Sequence, residues 1–150
     1  MDTRREFCAR TCQAVSLLAI NSLVQGCGGN PMSSSAAPPL STATGTVSGG
    51  TVTVTIDAAS ALGSVNGAAL VTTAAGSFLV ARTGQDTFTA LTALCTHEGC
   101  TVSGIENQVY VCPCHGSRYS SAGSVLQGPA TTALRQFSTR FANNVLTITL

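Results

Sequence analysis

Two short segments rich in cysteine and histidine constrain the fold of this 150-residue chain more than any other feature. The first reads CTHEGC at residues 95–100, and the second reads CPCHGSRY at residues 112–119. Together they contain both histidines and four of the seven cysteines. Thiolates and imidazoles are side chains that bind metals well. We therefore expect the chain to fold so that the two segments meet at one metal centre.

The candidate ligands form two pairs, Cys95 with His97 and Cys112 with His115. One or two residues separate the members of each pair, and at that spacing a tight turn can point both side chains at one metal. Two cysteines and two histidines are also a ligand set for zinc. The spacing alone therefore leaves a structural zinc module as an alternative to a redox centre.

Two further cysteines, Cys100 and Cys114, lie next to the candidate ligands. A zinc site needs only four donors, so it would leave these two thiols without a role. They could form a disulfide bond that ties the two segments together, provided that their Cα atoms come within about 7 Å of each other.

Both segments resemble the cluster-binding boxes of the Rieske iron–sulfur proteins, and they are most similar to the disulfide-bearing, quinol-oxidising branch. The resemblance spans roughly residues 91–130 and implies one 2Fe–2S cluster per chain. It assigns a role to each matching position: Cys95 and Cys112 as ligands of one iron, His97 and His115 as ligands of the other, Cys100 and Cys114 as a disulfide, and Ser117 and Tyr119 as hydroxyl donors to cluster sulfurs. Residues 128–130, Gly-Pro-Ala, resemble the proline-bearing loop that covers the cluster.

This ligand set predicts a high reduction potential. Two histidines in place of two cysteines raise the potential to about −150 to +300 mV, against about −400 mV for plant-type ferredoxins. Hydroxyl donors raise it further, because they stabilise the more negative reduced cluster. Each imidazole keeps a second ring nitrogen that can carry a proton, so we expect reduction and protonation to be coupled. Such coupling suits a quinol, which gives up both an electron and a proton.

Glu98 departs from the family pattern. The members from respiratory complexes usually carry an apolar residue at this position, beside the exposed histidine, and there the neighbourhood docks on a membrane subunit. A carboxylate at position 98 argues against docking of that kind, although it does not argue against the cluster.

The composition favours an all-β fold and argues against nucleic acid as a partner. Charged residues make up only 9% of the chain and the formal net charge is +1, so the basic stripe that nucleic acid requires is missing. Short apolar and alternating runs between turn residues predict an antiparallel β sandwich or barrel. The Rieske resemblance implies such a fold with a small cluster-binding subdomain. The predicted strands cover residues 51–56, 69–73, 78–82, 87–92, 109–111, 135–142 and 145–150.

Residues 1–27 are predicted to be an export signal. The sequence TRREF at residues 3–7 resembles a twin-arginine box, and an apolar run follows at residues 14–24. That run is too short for a permanent membrane-spanning helix, which needs about 20 apolar residues. Cys27 ends a sequence similar to a lipoprotein cleavage box, so we expect it to carry a lipid anchor. An ordinary secretory signal with an unmodified Cys27 is the alternative.

The rest of the chain divides into a tether and one domain. Residues 28–44 contain mainly Gly, Ser, Ala, Pro and Thr without periodicity, which is typical of a flexible tether. The folded Rieske-type domain is predicted at residues 45–150, with its cluster-binding tip at about residues 95–130.

The sequence thus predicts an exported electron carrier, an oxidoreductase component without a substrate pocket of its own. Its expected donor is a quinol or a redox protein, and its expected acceptor is a cytochrome-like protein. A small electron-transfer subunit of a larger oxidase, such as an arsenite oxidase, is the second interpretation. A Rieske oxygenase is disfavoured, because its catalytic iron would need two more histidines and a carboxylate, and His97 and His115 are the only histidines in this sequence.

Overall fold

Short strands form all the regular secondary structure in the computed structural model, which describes residues 37–150. The predictions made on residues 1–36, including the export signal, the Cys27 anchor and the first part of the tether, lie outside the described residues. The strands are β1 (Ser41–Thr44), β2 (Thr46–Ser48), β3 (Thr51–Thr55), β4 (Ala68–Thr73), β5 (Gly76–Arg82), β6 (Phe88–Thr92), β7 (Gly104–Glu106), β8 (Val109–Val111), β9 (Arg118–Tyr119), β10 (Val125–Gln127), β11 (Gln136–Ala142) and β12 (Val145–Thr149).

The predicted all-β fold is confirmed, and each predicted strand is present with ends that shift by no more than two residues. Alternation of side chains explains why these strands form where they do. In β3 the two valines, Val52 and Val54, are buried, while the three threonines that alternate with them are half-buried or exposed. They pair with Ile148 and Leu146 of β12, which are also fully buried. The matching alternation of the two strands fixes their register.

The largest sheet has eight strands in the order β1-β4-β5-β6-β11-β12-β3-β2. Its two outer strands are consecutive in the chain and are joined by Gly45, so the sheet curls until it is nearly closed. Gly45 is needed at this junction, because a Cβ atom there would lie only 2.7 Å from Cγ1 of Val52. The curled sheet encloses a core of valine, leucine, isoleucine and phenylalanine side chains.

Two hairpins use asparagine to reach backbone conformations that most residues avoid. Asn143 and Asn144, between β11 and β12, have φ angles of 50° and 60°. Two successive residues with positive φ form the turn that best matches the twist of paired strands. The hairpin predicted at these residues is confirmed. Asn107 and Gln108 repeat this geometry between β7 and β8, with φ angles of 49° and 65°, at a hairpin that the sequence analysis missed.

The predicted boundary between tether and domain is wrong, because regular structure begins before residue 45. Residues 41–44 form β1, which pairs in parallel with β4. Leu40 is buried, and its N–H donates to the carbonyl of Ser103 at 2.7 Å. Small polar residues without alternation carry no strand signal of their own. Their order comes from backbone pairing with a strand more than twenty residues away, which local composition does not reveal.

A second, smaller sheet carries the two cysteine-rich segments. Its four short strands lie in the order β10-β9-β8-β7 and are antiparallel. A separate hydrophobic core packs this sheet on the large one, and it includes Cys95, Cys112, Tyr110 and Tyr119. Each cysteine-rich loop is therefore anchored in this core by its first cysteine.

Among residues 37–150, no helix is long and apolar enough to cross a membrane.

Candidate metal centre

The two cysteine-rich loops have the same backbone geometry. In each, the N–H of the first cysteine donates to the carbonyl five residues later, and its carbonyl accepts from the glycine four residues later. The pairs are Cys95–Cys100 at 2.8 Å and Cys95–Gly99 at 2.9 Å in the first loop, and Cys112–Ser117 at 2.9 Å and Cys112–Gly116 at 3.0 Å in the second. The site is therefore built from two copies of one tight turn, as the ligand spacing predicts.

Glycine is required at the end of each turn. Gly99 has a φ angle of +71° and Gly116 one of +74°, in the left-handed region that residues with a Cβ atom rarely adopt. Because the backbone reverses at these glycines, the cysteine and the histidine before each of them face the same side. The cysteine and the histidine of each loop, which are close in sequence, therefore also lie on the same side of that loop.

The structure places the two candidate thiols beside each other and the two candidate imidazoles beside each other, and it exposes the two pairs unequally. Cys95 and Cys112 are buried, with 4% and 1% of their surface exposed, and neither is in a disulfide. His97 and His115 are exposed, and their ring centroids lie 5.0 Å apart. The site therefore has a thiol side enclosed by protein and an imidazole side open to a visiting molecule.

A disulfide joins the two loops, with the Cα atoms of Cys100 and Cys114 6.5 Å apart. This is the bridge that the family resemblance implies. Cys114 is exposed and Cys100 is half-buried, so the bridge lies at the surface beside the imidazoles. It fixes the distance between two loops that otherwise depend on the small sheet for their relative position.

The two hydroxyl side chains named from the sequence lie against the thiols. Tyr119 is fully buried, and its hydroxyl oxygen is 3.2 Å from Sγ of Cys95. Ser117 is also fully buried, and its Oγ accepts a hydrogen bond from the N–H of Ala130 at 3.0 Å. That bond uses a lone pair of Ser117, so its own hydroxyl proton remains available to a sulfur.

The two thiols differ in acidity for physical reasons. Burial raises the pKa of Cys95, but hydrogen bonds from the Tyr119 hydroxyl and the His97 backbone outweigh this effect and bring the pKa below the usual thiol value. Burial raises the pKa of Cys112, and the adjacent Cys95 raises it further. Cys95 is therefore the thiol that ionises first. Since a thiolate is the form that binds metal, this side of the site is prepared for a cation.

Burial raises the pKa of Tyr119, and its hydrogen bond to Cys95 raises it further. The phenol therefore keeps its proton and remains a donor towards the sulfur.

Glu98 lies between the two imidazoles. Its carboxylate oxygens are 3.9 Å from Nε2 of His97 and 3.7 Å from Nδ1 of His115, and its side chain is 60% exposed. The position that departs from the family pattern therefore places a negative charge on the open side of the site.

Some contacts at the site have no signal in the sequence. Thr96 bonds both to Tyr119 and to the carbonyl of Thr132, which lies 36 residues later. Arg118 pairs with Glu106 at 2.9 Å. A backbone carbonyl is present at every position, so no residue pattern shows which one a hydroxyl will find.

The donor set fits a cluster with mixed ligands. Two buried thiols, one of low pKa, suit an iron held by sulfur, and the two exposed imidazoles suit a second iron. Hydroxyl groups against the sulfur side add the hydrogen bonds that such clusters use. A single zinc ion would explain the four ligands but not the hydroxyl groups around the thiols.

Comparison with known proteins points to the same kind of cofactor, a 2Fe–2S cluster. A family model described as the Rieske 2Fe-2S domain matches residues 53–138. The cytochrome b6-f complex iron-sulfur subunit of Chlorobaculum thiosulfatiphilum is 38% identical over 61 residues, which are 40% of this chain and 34% of that protein. Its counterpart from Trichodesmium erythraeum is 43% identical over 61 residues, 39% of this chain and 34% of that one. The chain thus spans about a third of the length of these relatives.

A solved structure is similar as well. The cyanobacterial plasma membrane Rieske protein PetC3 from Synechocystis PCC 6803 superposes with a TM-score of 0.51 at 32% identity. The match covers 56% of this chain and 87% of that one. The family match includes both cysteine-rich loops and more than half of the chain. This chain belongs to the Rieske 2Fe–2S family, whose cofactor is a 2Fe–2S cluster.

Proposed function

We propose that Cys95 and Cys112 hold one iron of the cluster and that His97 and His115 hold the other. When bound, such a cluster accepts and returns one electron at a time, at the high potential typical of mixed cysteine and histidine ligation. The unequal exposure of the ligands is the observation that carries this proposal. The protein shields the sulfur side and leaves the imidazole side open, so a partner can approach within electron-transfer distance without displacing a ligand.

The chain's own residues prepare the site in three ways. The backbone turns orient each cysteine and histidine pair, and the disulfide keeps the two turns together. The hydroxyl of Tyr119 points a proton at the sulfur of Cys95, which favours a reduced, more negative state. The carboxylate of Glu98 adds a negative charge beside the imidazoles, which opposes that state.

The role that these features support best is one-electron transfer outside the cytoplasm, as a component of a quinol-oxidising respiratory chain. The donor would be a quinol or a redox protein, and the acceptor a cytochrome-like protein. Support comes from the relatives, which are named as iron–sulfur subunits of cytochrome b6-f complexes. Further support comes from the disulfide, which the quinol-oxidising branch carries.

Export by the twin-arginine route and a lipid anchor on Cys27 complete the proposal. Assembly of the cluster before export would suit the twin-arginine route, which carries folded proteins. The test is the membrane fraction of cells that express the full chain. Lipidation predicts that the wild-type protein is found in membranes and that the Cys27→Ser variant is released, whereas equal distribution of the two would exclude the anchor.

Glu98 favours a second candidate function, the small electron-transfer subunit of a larger oxidase such as an arsenite oxidase. An exposed carboxylate beside the imidazoles suits a polar protein surface better than an apolar membrane site. In that case the electron would come from the active site of the partner oxidase. A reduced quinol analogue that fails to reduce the purified protein would favour this candidate.

The ligand assignment can be tested by spectroscopy. The dithionite-reduced protein should give the low-temperature electron paramagnetic resonance signal of a 2Fe–2S cluster, and a silent, colourless protein with one zinc would refute the assignment.

The midpoint potential should fall with pH above neutrality, since imidazole ligands can lose their second proton. His115→Cys should lower the potential and weaken this dependence. If the variant leaves both unchanged, His115 is not a ligand.

A further inference from the structure

A groove of about 410 Å³ opens at one end of the large sheet, where β5 and β11 begin and β6 ends. Its size is within the range of small-molecule sites, which is about 300–1,000 Å³. The rings of Phe78 and Phe137 line it. Leu94 and Leu150 line it as well, although 58% and 39% of their surface is exposed. Large apolar side chains that stay exposed around a concave surface favour an apolar ligand.

One arginine with no partner lies at this groove. Arg135 is exposed, and its guanidinium makes no hydrogen bond or ion pair with residues 37–150. It lies over the ring of Phe137, 4.5 Å from the ring centroid. The Phe137 ring in turn meets the ring of the buried Phe78 edge to face, with the centroids 5.1 Å apart. A cation–π contact of this kind orients a guanidinium and leaves its N–H groups free for an anion.

A hydroxyl donor lies next to this arginine. The carbonyl of Arg135 accepts from the N–H of Thr92 at 2.8 Å, so the two residues are neighbours. Oγ1 of Thr92 accepts from the N–H of Leu94 at 3.3 Å, which leaves its own proton free to donate. Within residues 37–150, no Asp or Glu side chain lines the groove. The groove therefore complements a ligand that is apolar at one end and anionic at the other.

We propose that this groove binds an amphiphilic monocarboxylate, such as a medium-chain fatty acid. The alkyl chain lies against Phe78 and Leu94, and the carboxylate meets Arg135. A guanidinium holds a carboxylate through two parallel hydrogen bonds. One cation balances one negative charge, so a monocarboxylate suits the groove better than a phosphate monoester, which carries close to two. This binding site is separate from electron transfer, and the inference does not depend on which residues hold the cluster.

Isothermal titration calorimetry with three probes tests the class of ligand. The full chain carries Cys27→Ser in every sample, so that it needs no detergent, which would compete for an apolar groove. Decanoate has both the charge and the alkyl chain, butyrate has the charge with a short chain, and decyltrimethylammonium has the chain with the opposite charge. We expect decanoate to bind with one molecule per chain and the other two to give no measurable binding.

Two substitutions divide the affinity between its charged and apolar parts. Arg135→Gln should weaken decanoate binding by about 5- to 10-fold, as expected for loss of a charged donor at a partly exposed site. Arg135→Lys keeps the charge without the planar fork and should weaken it less. Leu94→Ala should weaken binding by about 3- to 5-fold, because it removes apolar contact with the chain. Both side chains are exposed, so neither change removes core packing.

Each substitution has a matched control. Arg140 is also exposed and without an ion pair among the described residues, but it does not line the groove. Leu126 is 58% exposed, as Leu94 is, and it does not line the groove either. Arg140→Gln and Leu126→Ala should therefore bind decanoate as the parent chain does. Circular dichroism of every variant shows whether the fold is kept.

Three results would overturn the proposal. The first is no binding of decanoate to the parent chain. The second is binding of decyltrimethylammonium with similar affinity, which would mean that alkyl chains adsorb without regard to charge. The third is an equal loss of binding in Arg140→Gln and Arg135→Gln, which would mean that the anion is attracted by overall charge and not held at this groove. None of these results bears on the cluster, whose ligands are tested by spectroscopy.

Discussion

Two tyrosines in one core differ in whether the buried hydroxyl has a hydrogen-bond partner. Tyr119 and Tyr110 are neighbours on paired strands and both are buried. The Tyr119 hydroxyl contacts Cys95 and Thr96, whereas the Tyr110 hydroxyl has no hydrogen-bond partner among residues 37–150. A buried hydroxyl without a partner destabilises a fold by about 1–3 kcal/mol.

Tyr110→Phe should therefore be neutral or stabilise the protein by about 1 kcal/mol at pH 7, measured by urea denaturation. Burial raises the pKa of Tyr110, so the unfolded chain loses this proton first as the pH rises above about 10. The wild type should then lose about 1.4 kcal/mol of stability per pH unit relative to the variant. Tyr119→Phe is the contrast, since it removes a hydroxyl with partners and should destabilise. A wild type more stable than Tyr110→Phe both at pH 7 and above about pH 10 would show that the phenol has a hydrogen-bond partner.

At the residue scale, the candidate ligands could be predicted from the sequence, but the hydrogen bonds around them could not. Cys95, His97, Cys112 and His115 could be proposed as ligands because ligand chemistry demands particular residue types at short spacing. The structure places the two thiols beside each other and the two imidazole rings 5.0 Å apart. The contacts of Thr96 could not, because they depend on the fold that brings residues 23 and 36 positions apart into contact. The residue type of Thr96 does not predict these contacts.

At the scale of elements, one arginine side chain joins two connections between strands, and the sequence did not predict these contacts. Arg82, at the end of β5, donates to the carbonyls of Leu62 and Gly63 at 3.2 and 2.7 Å, and also to those of Gly84 and Gln85. Its guanidinium lies 5.3 Å from the ring centroid of Phe88 and 5.5 Å from that of Phe141. It thus ties the long connection between β3 and β4 to the β5–β6 turn.

Arg82→Met should lower the free energy of unfolding by about 2–4 kcal/mol, because it removes charged donors from several carbonyls at once. Arg82→Lys should lose much of the same stability, since one ammonium cannot reach two pairs of carbonyls as a planar guanidinium does. Arg140→Met is the control, because the Arg140 side chain is exposed and makes no hydrogen bond or ion pair among the described residues. Urea denaturation with an equal effect of both methionine variants would contradict this role.

The strands that the sequence predicted and those it missed differ in a physical way. β3, β5 and β12 carry valine, leucine and isoleucine in patterns that a packed strand requires. β9 has only two residues, too few for any periodicity, and β1 consists of serine, threonine and alanine. Strands of this second kind form because a neighbouring strand offers backbone partners, and that information is not local.

At the scale of the whole molecule, the disulfide joins parts that the fold leaves only loosely connected. The small sheet has short ladders, whereas the large sheet has long ones and a continuous core. Cys100 and Cys114 are 14 positions apart in the sequence, and their bond closes a loop across the small sheet. Closing a loop of about this size stabilises a fold by about 3 kcal/mol in the chain-entropy account.

The double variant Cys100→Ala/Cys114→Ala should therefore destabilise the small sheet selectively. Amide hydrogen exchange should become faster at residues 95–119, while β3, β11 and β12 keep their protection, because their hydrogen bonds and core are untouched. The double variant is preferable to either single one, since it leaves no free thiol. Faster exchange throughout the large sheet would show instead that the molecule unfolds as one unit.

The described chain is electrically balanced, so a single residue can decide how it meets a partner. Its arginines and carboxylates are equal in number: Arg82, Arg118, Arg135 and Arg140 against Asp57, Asp86, Glu98 and Glu106. With no net charge to steer association, the field near the imidazoles comes mainly from Glu98, because Arg118 and Glu106 neutralise each other. The open side of the centre should therefore attract a cationic surface.

Glu98→Gln should slow electron transfer to a cationic cytochrome by about 2- to 5-fold at low salt, as expected for loss of one exposed ion pair. The rates of wild type and variant should converge near 1 M salt, where the Debye length falls to about 3 Å. The midpoint potential should rise, because the carboxylate no longer opposes the added electron. Asp86→Asn removes an exposed carboxylate from the turn between β5 and β6 and should change neither quantity. A variant with wild-type rates at every ionic strength would mean that partners dock away from the imidazoles, on a surface that Glu98 does not reach.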